Sequence, residues 1–224
     1  MCFSPGADLV GGAAIAVIGV DALRHVHKRH GHLAIAALPL LLAVHQLDES
    51  LVWFGLEGHV PHAVEHVALW IYLLVAFVVL PSFVPAAVLA FEPTRRRKWS
   101  MAPFVLLGLT VSGVLAHAMV RDGFSARIRP YHVAYSLHMG DALVVIVCYV
   151  VAVCGALLFS GDRHVVMFGL VNLVAIAVIA RLTVDGFASV WCGWAAVSSG
   201  AIAAHLRFAR PHRQSPYPLV PRTS

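Results

Sequence analysis

The chain has 224 residues, 60% of them hydrophobic and 12% charged, with a mean hydropathy of +0.82. Soluble domains are roughly half apolar and about a quarter charged, so this balance excludes an ordinary water-soluble globule and points to lipid as the solvent. The formal charge is +5, but the basic residues sit in short connections between apolar runs, where they set orientation, so nucleic acid is not an expected partner.

A bilayer core takes about 20 mostly apolar residues per helix. Seven such runs are predicted, over 8–24, 33–56, 62–91, 101–120, 131–160, 163–182 and 187–208. The first lacks the basic leader of a cleavable signal and is expected to remain as a mature helix. The third carries Pro81 and Pro85, which predicts a kink or break near its far end. Glu92 to Lys98 reads as a charged loop. The fold class is therefore an all-α, seven-transmembrane helix bundle, one domain over 1–210, with a disordered tail over 211–224. Alternate connections hold twelve of the 16 Lys and Arg residues, from Arg24 through Arg95–Lys98 and Arg163 to Arg222. The positive-inside rule makes that side cytoplasmic, with the N-terminus outside and the C-terminus in the cytoplasm.

Along this topology the ionisable and aromatic residues gather in the outer half. The second run carries His45, Gln46, Asp48, Glu49 and Trp53, and the third starts with His62, Glu65, His66 and Trp70. His117 closes the fourth, His132, Tyr135, His138 and Asp141 open the fifth, Asp185 follows the sixth, and Phe187, Trp191 and Trp194 open the seventh. The inner half is almost purely aliphatic apart from Asp21 and Asn172. That asymmetry predicts a pocket toward the outer leaflet and not a channel, which needs polar groups at every depth.

Gln46, Glu49 and Trp53 share one helix face. A carboxyl group placed away from water keeps its proton and can act as a general acid, with Gln46 and His45 to orient it; the alternative is a structural link to another helix. Asp185 is either a second carboxyl facing Glu49 or a helix-end residue near water. Asp48 points about 100° away from Glu49 and is not expected to share its role. Trp53, Trp70, Tyr135, Phe187 and Trp191 are candidate substrate-binding walls, since aromatic faces stabilise cations, or members of an interfacial belt.

His62-Ala63-Val64-Glu65-His66 spells the H-x-x-E-H pattern of inverzincins, in which the two histidines hold zinc and the glutamate is the base; with 14 histidines in the chain it also arises by chance. The four cysteines contain no CxxC pair, which removes zinc-ribbon and thioredoxin-like sites. Cys2 and Cys192 fall on the same expected side, leaving a disulfide open.

The opening Met1-Cys2-Phe3-Ser4, the run Gln46-Leu47-Asp48-Glu49 with Trp53, Tyr131 to Tyr135, and Trp191-Cys192 resemble a bacterial family of small multi-helix membrane proteins. In size, span number, the acid on the second helix and a late Asp, the chain also resembles the integral-membrane terpene cyclases of meroterpenoid and indole-sesquiterpenoid pathways. That resemblance implies protonation-initiated cyclisation of a hydrophobic prenylated small molecule without a metal cofactor, with Glu49 and Asp185 in the acid roles. The expectation is a multi-pass terpene cyclase of a bacterial cell membrane. The alternatives are a zinc-dependent membrane hydrolase using His62, Glu65 and His66, or a non-enzymatic sensor.

Overall fold

The computed structural model describes residues 4–26, 30–129, 132–137, 139–140, 142–182, 194 and 198–202. Seven helices are assigned: α1 (Pro5–His25), α2 (His30–Leu56), α3 (His62–Leu74), α4 (Leu80–Phe91), α5 (Arg95–Arg121), α6 (Ala142–Leu158) and α7 (Arg163–Leu182). A π-helical turn, Val75–Val79, joins α3 to α4, and strands β1 (Phe124–Arg129) and β2 (His132–Leu137) lie between α5 and α6.

Local chemistry starts the elements. The Ser4 hydroxyl accepts from the Ala7 amide at the head of α1, with Pro5 in the first turn. Asp162 caps α7 by accepting from the His164 amide at 2.7 Å. α1 and α2 pack closely because Gly12 and Gly19, two turns apart on one face, meet Leu47 and Leu40: a Cβ on either glycine would fall 2.7–2.8 Å from the leucine side chain. Small residues at helix crossings are the usual solution in membranes, where van der Waals contact drives association.

The break expected in the third run is a π-helical turn inside a continuous span, and it precedes both prolines. Leu80 N–H bonds back to the Val75 carbonyl. The Ala76 carbonyl then needs a donor from residue 81, which is proline and has none. The Tyr149 hydroxyl of α6 donates to that carbonyl at 2.9 Å, and Ser112 of α5 donates to the Val78 carbonyl at 2.6 Å. Tyr149→Phe should therefore destabilise the bundle by about 1 kcal/mol, a typical value for an interhelical hydrogen bond in a membrane protein. The measurement is the unfolding midpoint in detergent; an unchanged midpoint would mean that another group reaches the carbonyl.

Two expectations are corrected. Residues 95–98 are not loop: Thr94 caps α5, and Arg95 to Lys98 form its exposed first turn. Glu92, expected in that loop, is buried and accepts from Ser160 Oγ and the Gly161 amide, both at 2.7 Å. The fifth run does not start at 131 as helix. Residues 132–137 pair antiparallel with 124–129, Phe124 opposite Leu137 and Arg129 opposite His132. The period-2 pattern explains this: Phe124, Ala126, Val133, Tyr135 and Leu137 fall on one face and pack against the core, while Ser125, Arg127, Arg129 and Ser136 fall on the other. Gly123, with φ of +74°, permits the sharp exit from α5 into β1. The molecule is thus mostly helical with one β-hairpin at one end, called here the hairpin end.

Among the described residues five spans are long and apolar enough to cross a membrane: Pro5–Arg24, His32–Leu56, His62–Phe91, Arg95–Arg121 and Arg163–Arg181; α6 is a shorter apolar helix. Val17, Leu106, Leu143, Val144, Met167 and Val174 point outward from four of the helices. So much apolar surface is untenable in water and ordinary in lipid. Of the run expected at 187–208, residues 194 and 198–202 are described and helical, and Trp194 Nε1 donates to Asn172 of α7 at 2.5 Å. The tail expected over 211–224, together with Cys2 and Cys192, lies outside the described residues.

Candidate functional site

The hairpin half of α2 brings His45, Gln46, Asp48, Glu49, Ser50 and Trp53 into the interior, all buried. The residues span nearly half of the helix circumference, so the neighbours on either side differ. On one side the His45 ring stacks on Tyr72 of α3, centroids 4.1 Å apart, and Tyr72 stacks in turn on Tyr135 of β2 at 4.4 Å and 17°. Three rings from three elements thus form one column under the hairpin.

On the other side lies Asp8 of α1, which is fully buried. Gln46 Nε2 donates to Asp8 Oδ1, and the Trp53 indole approaches the same carboxyl, although its Nε1 completes no hydrogen bond of good geometry. Gln46 lies about one turn below Glu49 on α2 and Trp53 about one turn above. A carboxyl reached from both must stand at the level of Glu49. Asp8 Oδ2 is buried without a hydrogen-bond partner among the described residues. Asp48 is also buried, with Oδ2 similarly unpartnered. Three buried carboxyl groups therefore sit in one half of the bundle, which is costly and makes them the candidate functional site.

This assembly differs from the expected site. Gln46 holds Asp8 and not Glu49; His45 is a member of the ring column. Glu49, Trp53 and Tyr135 do converge on the same half of the bundle, Tyr135 from a strand. Asp8 was missing from the expected site. The signal was present: an ionisable residue inside an apolar run, the same signal that singled out Glu49. Asp185, Phe187 and Trp191 lie outside the described residues.

Gln46→Leu should leave the Asp8 carboxyl buried with its bonded oxygen unsatisfied. The expected cost is about 1–3 kcal/mol in unfolding free energy. Asp8→Leu in the same background should recover part of it, because the orphaned group is then gone. Additive losses in the double variant would show that the two side chains are not coupled.

A separate open groove of about 430 Å³ lies at the hairpin end, lined by His62, Glu65, His66, Trp70, Phe124 and neighbours from α5. Of the predicted substrate walls among the described residues it contains Trp70 alone; Trp53 packs in the core cluster that Leu69 and Met119 of the groove lining also join. Within the H-x-x-E-H pattern, His62 Nδ1 contacts Glu65 Oε2 at 2.9 Å and His66 Nε2 accepts from Trp70 Nε1 at 3.1 Å. Among the described residues no group of three His, Cys, Asp or Glu side chains is disposed to hold a metal. The pattern thus forms pairwise contacts in place of a converging ligand set.

Fold and site together define an apolar helical bundle of membrane type that buries Asp8, His45, Asp48 and Glu49 in one half. The chain belongs to the Family of unknown function (DUF6629), whose model matches residues 1–216. No curated protein and no solved structure matches it.

Proposed function

We propose that this protein is a seven-span, multi-pass protein of a bacterial cell membrane, N-terminus outside, that cyclises a prenylated small molecule by protonation. The observation that carries the reading is the complete burial of Glu49 in an apolar bundle, level with a second buried carboxyl and beside Trp53. General-acid catalysis uses a carboxyl in its neutral form, the form that can protonate an alkene or epoxide. Trp53 and Tyr135 supply aromatic rings in the same half, and such faces stabilise a migrating carbocation. The basic turn at Arg95 to Lys98, at the end opposite the hairpin, supports the orientation through the positive-inside rule. In this reading Glu49 delivers the proton and Asp185 assists or takes the final one.

The test is incubation of the detergent-purified protein with farnesyl indoles and their epoxides, followed by mass spectrometry and NMR. A product of unchanged mass with fewer double bonds is expected. Full turnover in the Glu49→Gln, Asp185→Asn double variant, or no turnover across the panel, would end the cyclase reading.

A further inference from the structure

Three aromatic residues that line the groove at the hairpin end, His66, Trp70 and Phe124, pack on one another as one cluster. His66 and Phe124 are nearly parallel, 17° apart with centroids at 6.3 Å. Trp70 stands across both, at 79° to His66 and 86° to Phe124, with centroids at 6.5 and 5.0 Å. The Trp70 indole N–H donates to His66 Nε2 at 3.1 Å. Beside these rings the Glu65 carboxylate is held by His62 at 2.9 Å and stays 21% exposed. Among the described residues no Lys or Arg lines the groove.

Aromatic faces carry a negative quadrupole, and a carboxylate adds a full negative charge. Together they favour a soft, weakly hydrated cation over an anion or a neutral alcohol. The groove lies at the first turns of α3, the end of a predicted span, at the depth where lipid head groups meet the protein. We propose that this groove binds an alkylammonium group, carried either by a choline-type lipid head group or by a free amine. The site is separate from the buried acids and does not depend on the cyclase reading.

The test uses the full chain in maltoside detergent. Binding of choline chloride and of dodecylphosphocholine is followed by saturation-transfer NMR of the N-methyl protons, with sodium chloride as the control titration. Saturable binding of both is expected, and Glu65→Gln should weaken it about 10-fold. Phe124→Leu provides a second variant, because Glu65 also packs against Gly55 and its replacement can disturb folding. Tighter binding of dodecylphosphocholine than of choline assigns a lipid source, and equal binding assigns a free amine. Absence of saturable binding, or affinity unchanged in both folded variants, overturns the proposal.

Discussion

Replacing Gly108 with valine is expected to abolish the folded bundle. Pro85 has no N–H, so the Pro81 carbonyl, four residues earlier on α4, loses its intrahelical donor. The α5 backbone closes on that carbonyl: a Cβ at Gly108 would lie 2.0 Å from the Pro81 oxygen and 3.0 Å from its carbon. Both atoms are backbone, so no rotamer change relieves the clash, and α4 and α5 must separate. Overpacking in a well-packed core costs about 1–3 kcal/mol, and more where the backbone has to move. The expected cost here is at or above the top of that range. Gly113, on the same helix, faces open space, so Gly113→Ala should be neutral or slightly stabilising through helix propensity. The readouts are monodisperse yield and unfolding midpoint in detergent. A Gly108→Ala variant with the wild-type midpoint would show that the two helices do not meet so closely.

Glu49→Gln should reduce cyclisation by about 10²–10⁴-fold, the usual contribution of a general acid. Glutamine keeps the size and burial of the side chain, so the unfolding midpoint should move little. Asp8→Asn separates chemistry from scaffolding, since its amide oxygen still accepts from Gln46 while the carboxyl is lost. It is expected to keep most of the turnover if Glu49 alone delivers the proton. The reverse pattern, with Asp8→Asn inactive and Glu49→Gln active, would transfer the acid role to α1. Equal losses in both variants would mean that the two carboxyls share one proton and act as a unit.

The hairpin shows where a one-dimensional pattern misleads. Residues 131–160 read as one apolar helix because hydropathy averages over a window long enough to blend Val133, Tyr135 and Leu137 into the run that follows. The strand is visible only when residues 124–129 are read beside it, since alternation has meaning once a partner strand shares the same face. The extra strand moves Tyr135 onto the column with Tyr72 and His45, a placement no helical wheel contains. Glu92 is a similar case. Its charge and its neighbours suggested loop, and its burial depends on Ser160 and Gly161, 68 and 69 residues away.

By itself the sequence determined apolar runs of bilayer dimension, their largely helical character, and the half of the molecule that holds His45, Asp48 and Glu49. These follow from composition and period, which are local and survive averaging. It also marked Glu49, because a carboxyl in an apolar run is costly wherever the run packs. The tertiary structure alone decided the partners. Asp8 meets Gln46 across 38 residues, Tyr149 meets a carbonyl freed by a proline on another helix, and Gly108 lies against Pro81. Such contacts depend on the rotation and depth of one helix against another. In a membrane those are settled by van der Waals fit and by the need to satisfy each buried polar group, and neither leaves a periodic trace in the chain.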